Sequence, residues 1–101
     1  MLPNQFHADS MSELLNLDQM REISGLEFMQ GILDGRYPSP PIGKTLGYYL
    51  TEVAEGRVVF SGAPSFDAFN PMGTVHGGWY GTLLDSAMAC AVMTKVPKGS
   101  I

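Results

Sequence analysis

The chain has 101 residues, 45% of them apolar and 16% charged, with a single cysteine. That length holds one domain at most, and the lone Cys90 excludes an intrachain disulfide scaffold. The formal charge of -4 argues against a nucleic-acid binder, which needs a basic stripe to neutralise phosphates.

Apolar content near the globular norm also excludes a disordered chain. A chain this short buries a modest core, so a partner subunit is expected to complete it. Residues 1–21 carry no basic segment followed by an apolar run, so no secretory signal is expected. With one cysteine and no export signal, a reducing cytoplasm is expected. Residues 1–11 read as a flexible leader, in which His7 has no assigned role.

From Ser12 to Asp34, Leu14, Leu15, Met20, Ile23, Met29 and Ile32 recur among other apolar residues at three- and four-residue steps. That spacing predicts helix, with Ser12 as N-cap and Gly35 as C-cap. Gly25 and Gly31 leave a split into two shorter helices open. Tyr37 to Gly43 contains three prolines, which remove backbone donors. It reads as an extended connector, neither helix nor central strand.

Thr45–Val53 and Arg57–Ala63 are rich in β-branched and aromatic residues and predict a hairpin. Gly56 supplies the positive φ of its turn. Pro64 to Pro71 reads as a loop, closing on the turn-forming group Asn70-Pro71-Met72-Gly73.

A helix is expected from Gly77 to Val96, apolar on nearly every face and stopped by Pro97 and Gly99. Asp85 near its centre argues against a bilayer span, at a cost of about 2.5 to 3.5 kcal/mol on insertion scales. A helix buried within protein is the better reading, and it must be covered all round. About 20 residues make about 30 Å of helix, more than two strands enclose. The cover is expected from other chains or from a longer fold.

The chemistry concentrates around that helix start. Gly77 and Gly78 open it, so their N–H groups lack intrahelical partners and, with the helix dipole, suit a carbonyl oxygen gaining charge. The plainer reading is a tight helix start. His76 and Asn70 stand beside it; their plainer readings are a structural contact and an Asx-type turn. Asp85 follows His76 by nine residues, half a turn off and about 13 Å along the axis. It cannot serve Gly77 within one chain. Across a two-fold pair of antiparallel helices it can. Its plainer reading is a buried structural carboxylate with a hydrogen-bond partner. Cys90 reads as a small core residue. With two His, one Cys and no ligand spacing, no metal site is expected.

These residues carry a resemblance. Leu46-Gly47, Gly56-Arg57-Val58-Val59-Phe60, Asn70-Pro71-Met72-Gly73-Thr74-Val75-His76-Gly77-Gly78 and Leu83-Leu84-Asp85-Ser86-Ala87-Met88 resemble the hotdog-fold acyl-CoA thioesterases, in particular their phenylacetate-pathway (PaaI-like) branch. The resemblance spans residues 25–101. It implies an α+β hotdog fold, a long central helix wrapped by a curved antiparallel sheet, over residues 12–101. It also implies a homodimer or homotetramer with acyl-CoA at the interface.

By position, the Gly77 amide would polarise the thioester carbonyl and Asn70 would place substrate or water. His76 would orient groups at the helix start, and Gly78 and Trp79 would touch substrate. Asp85 of the neighbouring subunit would act as general base or nucleophile. No metal or bound cofactor is implied, since the CoA belongs to the substrate. The family's sheet continues with further strands after the central helix, so residues 1–101 are expected to be a C-terminally truncated hotdog. A non-catalytic hotdog module that binds acyl-CoA or only assembles is the alternative.

Overall fold

In a computed structural model describing residues 1–101, the N-terminal helical spacing resolves into two helices. The first, α1 (Leu17–Arg21), is held by a reciprocal cap. Asn16 Oδ1 accepts from the Gln19 amide at 2.8 Å, and Gln19 Oε1 accepts from the Asn16 amide at 2.9 Å. The second, α2 (Gly25–Asp34), starts at Ser24, whose Oγ accepts from the Glu27 amide. Ser12, expected to cap one long helix, lies instead within the 3-10 turn Met11–Glu13. Gly35 ends α2 in the left-handed region, as expected. The break has a packing cause. Gly25 N donates to Val96 O at 2.9 Å, and a Cβ at Gly25 would collide with Met93 O.

Residues 5–8, expected within a flexible leader, run beside the proline segment. Ser39 N donates to Phe6 O at 2.7 Å, Ala8 N donates to Ser39 O at 2.9 Å, and Gln5 Nε2 donates to Leu50 O at 2.8 Å. Ala8 and Ser39 are both buried.

The proline segment departs from expectation. Pro41 opens α3 (Pro41–Leu46), so part of the connector is helix. At the first helical position a missing N–H costs nothing and the ring presets φ. Strand β1 therefore begins at Tyr48, not Thr45, and runs to Ala54. It pairs antiparallel with β2 (Arg57–Gly62) through a turn in which Gly56 has φ 77°. Leu50 faces Phe60 and Glu52 faces Val59, so Thr51 is the extra residue of a bulge.

The core is small. Met29 and Ile32 of α2 pack on Leu50 of β1, with Phe28, Phe60, Cys90 and Met93 around them. The last helix, α4 (Gly77–Met93), stops earlier than the expected Val96. Thr94 caps it against the hairpin turn: its Oγ1 accepts from the Gly56 amide at 2.7 Å and donates to Ala91 O at 2.7 Å.

The expectation that this helix is covered on every side does not hold within the chain. Trp79 is its one buried residue. Tyr80, Leu84, Met88 and Val92 recur every fourth position and are 51%, 58%, 64% and 68% exposed. The hairpin and α2 reach only one side of α4, so an apolar stripe faces outward. No helix is long and apolar enough to cross a membrane. The architecture is α+β, a two-stranded antiparallel sheet with a C-terminal helix, compatible with part of a hotdog fold.

Candidate functional site

The approach to α4 is set by Asn70. Its Oδ1 accepts from the amides of Met72 at 3.0 Å and Thr74 at 3.2 Å, while its Nδ2 donates to Thr74 Oγ1 at 2.8 Å. The side-chain amide is thus engaged in tying the loop 70–74. The geometry is that of an Asx turn, the plainer of the two readings. Behind it, His76 N donates to Ala68 O at 2.8 Å, which pins the residue before the helix.

His76 is the N-cap of α4. Its Nδ1 accepts from the Gly78 amide at 2.7 Å. An accepting Nδ1 places the ring proton on Nε2. Two glycine amides open the helix, and this bond takes one of them. The Gly77 amide has no partner in the chain, and the space a Cβ would fill at Gly77 is empty to 4 Å. One donor, at the positive end of a 17-residue helix, is therefore left open to an incoming acceptor.

Trp79 holds the same end down. It is buried, and its indole Nε1 donates to Leu46 O at 2.6 Å, joining α4 to the end of α3. Its expected contact with substrate is thus joined by a structural duty. Gly78 and Trp79 both border a recess of about 240 Å³, along with His76, Thr82, Asp67 and Phe69.

Asp85 lies eight residues past Gly77, about 12 Å along the axis and about 80° round it. It is exposed and has no hydrogen bond or ion pair in the chain. The reading of a buried carboxylate with a structural partner does not hold within the chain. Asp85 and Gly77 share the open side of α4 but do not meet. Asn70, His76, Gly77 and Gly78 are gathered at one end, and Asp85 stands apart.

Two features escaped the sequence reading. Gly81 sits midway between Gly77 and Asp85, four residues from each, exposed and with nothing within 4 Å of a Cβ position. Its signal was the spacing Gly77-Gly81-Asp85. Ser86 shares a 2.9 Å hydrogen bond with the Tyr48 hydroxyl, tying the covered side of α4 to β1. A hydroxyl in an apolar helix was the clue. Cys90 is half-buried; burial first, and the Asp85 carboxylate second, push its thiol pKa up. It stays protonated and packs as a small apolar group.

A family model described as the thioesterase superfamily matches residues 72–101. The matched residues take in His76, Gly77, Gly78, Trp79 and Asp85 and leave out Asn70. No curated protein and no solved structure matches the chain.

Proposed function

We propose that the protein hydrolyses acyl-CoA thioesters in a homodimer built on α4. Water adds to the thioester carbonyl. The oxygen that gains charge is held by the free Gly77 amide of one subunit. Asp85 of the other takes the water proton. Collapse breaks the C–S bond, the sulfur leaves as thiolate and regains a proton, and free acid and CoA result. No metal or resident cofactor enters these steps.

The observation that carries the reading is the division of labour at the helix start. His76 takes up the Gly78 amide and leaves the Gly77 amide free, on the same open side of α4 as the unpartnered Asp85. The match of residues 72–101 to the thioesterase superfamily supports the activity class. Gly81 supports the dimer geometry. A two-fold axis at Gly81 between antiparallel helices sets each Gly77 level with the other chain's Asp85, because four residues separate Gly81 from each. A residue without a side chain there permits close approach. The same helix pair covers Tyr80 and Leu84 of the apolar stripe, while Met88 and Val92 lie level with partner positions ahead of its helix start at Gly77. The setting is cytoplasmic, a homodimer or a homotetramer, with a substrate range of the phenylacetate-pathway (PaaI-like) branch.

A second reading, an acyl-CoA-binding or assembly module without turnover, draws on the roughly 12 Å between Gly77 and Asp85 within one chain. Release of free CoA from a panel of aryl- and fatty-acyl-CoA thioesters separates the two. The hydrolase reading expects release with at least one substrate class, and binding without any release would favour the module.

A further inference from the structure

A second cavity lies on the other side of α4. It offers about 230 Å³, partly open to solvent, between α2, the Pro38–Pro40 segment, β1 and the second half of α4. Ser86, which lines it, follows Gly77 by nine residues and so points half a turn away from it. The cavity is therefore set apart from the Gly77 amide, and its occupancy can be measured without hydrolysis.

The walls select for chemistry. Met29, Ile32, Leu50, Phe60 and Met93 make them apolar, and no Asp, Glu, Lys or Arg borders the space. The basic group present is His7, whose Nδ1 is 3.2 Å from Pro40 O and donates to it. Tyr48 and Ser86 satisfy each other. Ser39 differs: it lines the cavity, is 4% exposed, and its Oγ is buried with no hydrogen-bond partner. A buried hydroxyl left alone is costly, and it calls for a polar atom that the chain itself does not supply.

Size follows by proportion. An apolar protein cavity of about 150 Å³ stays dry and takes up benzene, so about 230 Å³ corresponds to about nine heavy atoms. We infer that this cavity is a binding site for an uncharged apolar molecule of about nine heavy atoms carrying one hydroxyl or carbonyl group, which partners Ser39 Oγ.

The test is direct binding to the full-length protein by calorimetry and by amide chemical shifts, with no hydrolysis measured. The probes are 4-ethylphenol and 1-octanol, with propylbenzene lacking the hydroxyl and octanoate bearing a charge. The two hydroxyl compounds are expected to saturate one site, shifting Gly43, Tyr48 and Cys90. Their relative affinity tells a ring from a chain. 4-Ethylphenol is expected to bind about threefold to tenfold more tightly than propylbenzene, the scale of one net hydrogen bond. Ser39→Ala is expected to erase that difference while leaving propylbenzene binding intact. Ala89→Phe, at an exposed lining position, is expected to weaken every probe at least about tenfold by filling the space. No saturable binding by any probe, octanoate binding as tightly as 1-octanol, or an unchanged hydroxyl preference in Ser39→Ala overturns the inference.

Discussion

His76 Nδ1 accepts the Gly78 amide at 2.7 Å, and that one bond decides which backbone donor remains for a ligand. His76→Ala would release the Gly78 amide and remove the N-cap of α4. Loss of a cap costs about 0.5 to 2 kcal/mol. A lower denaturation midpoint is expected for His76→Ala, with His76→Asn restoring most of it, because Asn caps well. If His76→Ala were as stable as the parent, the capping role of His76 would be wrong.

Trp79 has a parallel role at the same end. Trp79→Phe keeps the ring in its buried place but removes the donor to Leu46 O. A part-buried carbonyl left without its partner costs about 1 to 3 kcal/mol. Thermal or denaturant unfolding should show that loss. An unchanged midpoint would mean the 2.6 Å contact contributes nothing.

Much of the fold was legible in the sequence, and the rest failed for definite reasons. The Gly56 turn and the start of α4 at Gly77 follow from local chemistry that context did not override. α3 was hidden because three prolines read as helix breakers, whereas one placed at the first helical position starts a helix. Asn70 carried two readings on identical residues, and only the positions of Met72 N and Thr74 N separate them. The outward stripe on α4 was invisible because composition reports how apolar a helix is, not which side its neighbours reach. Gly77 and Asp85 were legible as residues. Their separation within the chain is a consequence of helix geometry that the sequence also predicts.

Cys90 gives a pH test. Its thiol pKa is raised in the folded chain by burial and then by Asp85, so between the unfolded and folded values the native state binds the proton more tightly. The stability this contributes is complete below the unfolded thiol value and is lost as pH rises through the folded one. Unfolding free energy should therefore fall more steeply on the alkaline side in the parent than in Cys90→Ala. Alkylation of Cys90 near neutral pH should be slower than that of a free thiol, and Asp85→Asn should speed it. An equal rate in the two would remove Asp85 from the environment of Cys90.

The exchange of groups between subunits has a sharper test than any single substitution. Asp85→Asn should reduce acyl-CoA turnover at least about 100-fold, the scale of a lost general base, with folding intact because the side chain is exposed and unpartnered. Gly77→Pro should do the same by deleting the free N–H. Proline is favoured at the first helical position, and His76 before it already has φ -62° and ψ 136°, an extended conformation that proline tolerates. Each variant alone is then inactive for a different reason. Mixed and allowed to exchange, they form heterodimers in which the Gly77 amide of one chain meets the Asp85 of the other at one of two sites. Random pairing makes half the dimers mixed, each with one working site, so about a quarter of parental activity should return. Recovery of that size places the two groups on different subunits. If the mixture stays as inactive as its components while subunit exchange is demonstrated, the two groups do not act across a dimer axis.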